Sequence, residues 1–168
     1  DIAPVEEVAY SYGNCFFIPN GDGLYARYAS FAVSNPVPLA NFSRAVNVVL
    51  HEWAGDLNDN NKADAEELQE VGINLYPFNG TEGLGIITLP VSFEGEGVPL
   101  KDSTYYIISV RYNDPTPPLL FMLASDTIDY TATIAAHNST PGLVPQYASA
   151  LDVGNDGVFD MLGFGYDI

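Results

Sequence analysis

Short apolar runs separated by Gly, Pro, Asn and Asp set the texture of the chain from Cys15 onward. That punctuation predicts an all-β domain. Residues 45–53 alternate, with Val46, Val48 and Leu50 on one side and Asn47, Val49, His51 and Trp53 on the other. A period of two is that of a strand. Residues 104–112 repeat the pattern and put Tyr106, Ile108, Val110 and Tyr112 on a core face opposite Tyr105, Ile107, Ser109 and Arg111. Ile73, Leu75 and Pro77 share one face of another strand. A further strand spans 86–93, where Pro90 indicates an edge or a strand end. Residues 119–124 are continuously apolar, as in a strand covered on both sides, and Ile128, Tyr130, Ala132 and Ile134 alternate with polar neighbours.

The connections are equally legible. Asn20-Gly21-Asp22-Gly23 is expected to close a hairpin between the runs 15–18 and 24–33. Prolines break the chain at 35–38 and again at 115–118. One stretch, 65–71, carries helix formers with Leu68 and Val71 three apart and Gly72 as a stop, which predicts a helix of about two turns. Roughly eight to ten short strands with one short helix suit a β-sandwich or jelly roll. A doubly wound α/β fold would need alternating helices. Residues 1–14 are acidic and aperiodic and read as an N-terminal arm or edge strand. Residues 15–168 then form a single β-sandwich domain.

Composition narrows the function classes. A chain of 168 residues is one domain by length, and 47% hydrophobic with 12% aromatic residues decides for a packed core over disorder. Against 22 acidic residues stand 5 basic ones, a net charge of −17. A nucleic-acid binder needs cations to displace counterions from phosphates, so that class is excluded. An anionic membrane surface is disfavoured by the same repulsion, whereas divalent cations are attracted. No run of 18 apolar residues offers a membrane-spanning helix. Cys15 stands alone, which rules out an intrachain disulfide and suits a small buried side chain beside Phe16 and Phe17. The chain begins at Asp1 with no signal-peptide pattern, so a processed mature protein or an excised fragment is expected.

Candidate chemistry concentrates in the twelve residues 56–67. Oxygen-bearing side chains fall at loop positions 1, 3, 5, 9 and 12: Asp56, Asn58, Asn60, Asp64 and Glu67. Lys62 at position 7 offers its backbone carbonyl, a ligand that needs no particular side chain. A calcium ion imposes this spacing on a loop wrapped around it, and hard oxygen donors in this number suit Ca2+ better than magnesium. An affinity on the order of 10⁻⁴ M is expected for so lightly charged a loop. The competing reading needs no metal: Asp64 caps the helix, Glu67 completes a capping box, and Asn-rich turns form unaided.

On these residues the chain resembles the calcium loops of EF-hand and dockerin-type modules. It departs from them at position 6, where Asn61 replaces Gly, and at position 8, where Ala63 replaces a larger aliphatic residue. The incoming segment reads as a strand, so the loop is expected to act as a staple between a strand and a short helix. A second acidic stretch, 152–160, has oxygens at positions 1, 5 and 9 but Gly154 at position 3 and reads as a Gly-rich hairpin turn.

No catalytic set emerges. His51-Glu52-Trp53 lacks the second His of a zinc-protease helix, and His51 and His137 read as ordinary side chains. Sequons occur at Asn41, Asn79 and Asn138, and Asp102-Ser103-Thr104 and Asp126-Thr127-Ile128 resemble short bacterial O-glycosylation signals. The order of pieces, a strand ending in HEW, the acidic loop, YPF, STYYIISVRY and a terminal GFGYDI, is similar to that of β-sandwich modules of type IX secretion cargoes. The resemblance implies an extracellular or cell-surface setting and a non-catalytic structural or adhesive role. The acidic loop adds an expectation of calcium stiffening, and residues 1–14 could pair with sheet edges of neighbours, so partners are expected among copies of the chain, other surface proteins or glycans, as in a surface filament. The alternative is a carbohydrate-binding module of a secreted hydrolase, which needs exposed aromatics on one face.

Overall fold

A computed structural model describes residues 9–34, 44–58, 60, 62–78, 82, 84–113, 121–123 and 147–161. The described chain is all-β and sandwich-like. Its strands are β1 (Tyr10–Ile18), β2 (Tyr25–Ala26), β3 (Tyr28–Ser34), β4 (Arg44–Trp53), β5 (Lys62–Ala63), β6 (Leu68–Phe78), β7 (Leu84–Pro90), β8 (Val98–Pro99), β9 (Thr104–Tyr112), β10 (Phe121–Leu123), β11 (Tyr147–Val153) and β12 (Phe159–Met161). They form a seven-stranded sheet in the order β5-β12-β11-β1-β9-β4-β6, a three-stranded sheet β10-β3-β7, and the pair β2-β8. All of these strand pairings are antiparallel.

The large sheet is buried on both faces because each of its central strands alternates two apolar sets. Val46 and Val48 of β4 and Val110 and Tyr112 of β9 pack against Phe31 and Val33 of β3 and Ile87 and Leu89 of β7. This layer is the sandwich core. Leu50, Tyr106, Val91 and Val98 extend it toward the β2-β8 pair. The opposite face carries Cys15, Trp53, Ile107 and Ala150, and Ala63, Phe159 and Met161 pack against them. Phe159 on β12 meets the ring of His51 on β4 at 5.9 Å, although β11, β1 and β9 lie between those strands in the sheet. The sheet is therefore curled, and its concave side is a second core.

Several expectations are corrected. Residues 10–14 are neither arm nor edge: they belong to β1, which lies between β11 and β9 in the large sheet. The turn at 20–23 exists, with Leu24 N donating to Gly21 O at 2.8 Å. It closes no hairpin, because β1 joins the large sheet while β2 pairs with β8 and β3 with β7. The two-turn helix over 65–71 is a single 3-10 turn, Ala65–Glu67. From Leu68 onward the chain pairs with β4 as an eleven-residue strand, since ladder bonds and burial outweigh a weak helical propensity. Pro90 sits where a proline is tolerated, at the end of an edge strand. Residues 1–8, the proline breaks at 35–38 and 115–118, the alternating run 128–134 and the terminal GFGYDI lie outside the described residues.

Candidate metal centre

The loop 56–67 leaves the end of β4 and returns through β5 and the 3-10 turn to β6. Short polar side chains organise it by bonding their own backbone, as Asx residues do in turns. Asp56 Oδ1 accepts from Asn60 N at 2.9 Å, and Asn60 Oδ1 accepts from Lys62 N at 2.9 Å. Asn58 Nδ2 and Asn60 Nδ2 both donate to Asp64 Oδ2 at 2.9 Å. These two amides, with a smaller contribution from Lys62, hold the Asp64 carboxyl below its ordinary pKa. Positions 1, 3, 5 and 9 of the calcium pattern are thus joined in one hydrogen-bonded cluster. Asn61, at position 6, lies outside the described residues.

Glu67, at position 12, is placed differently. Its side chain is buried and lies under the loop. Oε2 accepts from Trp53 Nε1 at 3.0 Å and from Asp64 N at 3.2 Å, while Oε1 accepts from Leu57 N at 2.8 Å. The backbone adds Ala54 N to Glu67 O at 2.9 Å. A buried carboxylate costs several kcal/mol unless such donors compensate it. Glu67 thereby ties the loop's entrance to its exit. The bond from Asp64 N is the Glu half of a capping box, and the Asp64 side chain facing the Glu67 backbone is its other half, as the metal-free reading expects.

The structure also joins two stretches that are far apart in sequence. β5 pairs with β12, and Lys62 Nζ meets Asp160 Oδ1 at 2.8 Å. The second acidic stretch forms the β11–β12 hairpin, as its glycines indicate. Asp152 accepts from Asp156 N and Gly157 N at 3.1 Å each, and Asp156 Oδ1 accepts from Val158 N at 2.9 Å. Asn155, Gly154 and Gly157 have positive φ values of 53°, 96° and 88°, a turn geometry that Gly and Asn adopt most readily. The carboxylates of Asp160, Asp64 and Asp156 raise the pKa of Lys62, Asp160 most.

The donor set fits a hard divalent cation in its chemistry. Asp56, Asn58, Asn60 and Asp64, with the Lys62 carbonyl, would hold calcium, and Glu67 would brace the loop from below in the arrangement seen here. The two Asn amides would turn their oxygens inward. Among the described residues no three His, Cys, Asp or Glu side chains converge, and the loop's cluster mixes two carboxylates with two amides. Spacing could not reveal the Trp53–Glu67 bond or the Lys62–Asp160 tie, because both depend on which strands pair, β4 with β6 and β5 with β12.

Elsewhere, Ser103 is exposed with φ 51° in the turn before β9, and Asp102 Oδ1 accepts from Gly21 N and Asp22 N. Asn41, Asn79, Asn138, His137 and Asp126-Thr127-Ile128 lie outside the described residues. Comparison with protein-family models, with curated proteins and with solved structures finds no match.

Proposed function

We propose that the protein is a non-catalytic, calcium-stapled β-sandwich module with a structural or adhesive role at the cell surface. The observation that carries this reading is the cluster in which Asn58 and Asn60 converge on Asp64 while Asp56 anchors Asn60. It lies at the junction of β4, β5 and β6. A cation there would neutralise local carboxylates in a chain of net charge −17 and pin the curled edge of the large sheet. Assembly with further copies is supported by the outer face of the small sheet, where Leu84 and Ile86 are 76% and 77% exposed. Neither β3 nor β7 carries a charged residue, so contact there brings no like charges together. Isothermal calorimetry of chelator-treated protein tests the metal. Saturable heat with calcium and a higher melting temperature are expected, and the absence of both rejects the reading.

A carbohydrate-binding role is the second reading, favoured by one observation. Tyr25, Tyr28 and Phe93 are all strongly exposed, and the chain around them is close together because Tyr28 pairs with Pro90 and Tyr25 with Pro99. Aromatic faces stack on sugar rings. Glycan-array binding lost in Tyr28→Ala would favour this role over assembly.

A further inference from the structure

The edges of the two sheets are guarded unequally. An open edge presents unpaired N–H and C=O groups, and proteins blunt it by shortness, charge or proline. In the large sheet β5 ends one side with two residues, one of them Lys62, and β6 ends the other with Glu70 and Pro77 in it. In the small sheet β10 has three residues. β7, at the opposite edge, has seven and carries no charge.

Register identifies which backbone groups of β7 are open. Val91 N, just past the strand, donates to Arg27 O at 3.0 Å, so Val91 faces the β3 side. Pro90 O turns the other way and accepts from Asn74 Nδ2 of β6 at 2.9 Å. Bonded and non-bonded residues alternate along an antiparallel pair, and β7 runs against β3 without a register shift. Gly85, Ile87 and Leu89 therefore bond to β3, while Leu84, Ile86 and Thr88 turn their N–H and C=O away from it. Pro90 occupies a place where an N–H would have faced outward, which an edge strand allows. With Asn74 it closes that end alone. Among the described residues β3 is the one strand paired with β7. Leu84 and Ile86 are strongly exposed and Thr88 is exposed beside them, so a further strand has room to lie there.

Charge and symmetry select the occupant. Copies of a chain with net charge −17 repel one another, and they approach most easily where both surfaces are neutral. β7 and its neighbour β3 are neutral throughout. The open groups also form a self-complementary set centred on Ile86. Across a two-fold axis Ile86 meets Ile86, and Leu84 meets Thr88 of the second copy, each pair exchanging two bonds. Glu82, the acid just before the strand, comes level with Pro90 of the other copy, so no two carboxylates stand opposite one another along β7.

We infer that β7 is the docking edge for a second copy of this chain, joining two small sheets into one through an antiparallel β7–β7 seam centred on Ile86. The inference rests on the assembly reading above and adds its mode: the strands pair edge to edge, and the outer faces do not stack. Disulfide trapping in the full chain tests it. Residues opposed in a bonded antiparallel pair have Cα atoms about 5.5 Å apart, within disulfide reach. In a glutathione redox buffer with calcium, Ile86→Cys should form a linked dimer about tenfold faster than Ser30→Cys, because pairing raises the effective concentration of the two thiols. Ser30 lies on the outer face one strand in, opposite Thr88, and comes into reach only if faces stack. Leu84→Cys alone should stay monomeric, since its two copies lie roughly 14 Å apart at about 3.4 Å per residue. Leu84→Cys combined with Thr88→Cys should link. The wild type serves as the blank, its Cys15 being buried. Ser30→Cys linking as fast as Ile86→Cys overturns the edge mode and leaves assembly standing through stacked faces. Equal linking of Ile86→Cys and Leu84→Cys overturns the seam as chance collision. No linking in any variant overturns it too and leaves the edge to a strand of another protein, while calcium calorimetry judges the metal reading separately.

Discussion

The indole Nε1 of Trp53 donates to Glu67 Oε2 at 3.0 Å, joining the last residue of β4 to the residue just before β6. The same carboxylate takes Leu57 N and Asp64 N, so one buried anion closes the acidic loop at its base. Glu67→Gln replaces an acceptor oxygen with a donor that faces N–H groups. A loss of about 1–3 kcal/mol is expected, with or without calcium. Urea denaturation followed by Trp53 fluorescence measures it, and an unchanged midpoint contradicts the assignment.

Asp56 has a different task. In the calcium reading it holds the ion, so Asp56→Ala should cost the chelated protein only about 0.5–1.5 kcal/mol, for the bond from Asn60 N, and abolish stabilisation by calcium. With an affinity on the order of 10⁻⁴ M, calcium at about a hundred times that concentration contributes about 2.7 kcal/mol. That is a rise of roughly 5–10 °C in melting temperature for a chain this size. Differential scanning calorimetry in calcium and in chelator checks both halves.

His51 predicts a pH dependence. Burial, and secondarily Arg111, lower its pKa from 6.5 to about 4. The unfolded chain therefore binds a proton that the folded chain refuses between those values. The stability contributed by the neutral ring is fully present above about pH 6.5 and is lost as the pH falls toward about 4. Between pH 7 and 5 the loss is about 2 kcal/mol. Denaturant titrations of the wild type and of His51→Gln should diverge by that amount across the interval.

Gly13 allows no side chain. Its Cβ would strike Ile108 O and Ser109 Cα on β9, at 1.9 and 2.7 Å, and backbone cannot yield as a flexible side chain does. Gly13→Ala should cost about 3 kcal/mol or more, seen as a lower urea midpoint.

The outer face of the small sheet yields the converse expectation. Ile86 makes little contact there, so Ile86→Lys should change stability by no more than about 0.5 kcal/mol. If copies of the chain meet on this face, the same substitution suppresses the association. Sedimentation velocity at increasing concentration, in wild type and variant, reads the difference.

Residues 104–112 show how far local pattern reaches. Their alternation identifies β9 end to end, because a period of two is written in the residues themselves. Pro90 likewise announces an edge or a strand end from its missing N–H. The oxygen spacing of 56–64 is also local, and the loop does gather Asn58, Asn60 and Asp64. Residues 65–71 mark where pattern fails: Ala, Glu and Leu favour a helix by tenths of a kcal/mol, and pairing with β4 outweighs that. The glycine turn at 20–23 reverses the chain without specifying which strand lies beyond it. Residues 10–14 look like an arm until β9 and β11 flank them. The setting of Glu67 on Trp53, of Lys62 on Asp160, and of His51 on the same face of the sheet as Ser109 and Arg111 follows from strand order and pairing. Those depend on contacts between residues up to about 140 positions apart, as Ser11 and Asn155 show by their bond of 2.6 Å across 144 positions. Sequence spacing encodes which face of a strand is apolar; only the assembled sheet decides which polar groups that burial brings together.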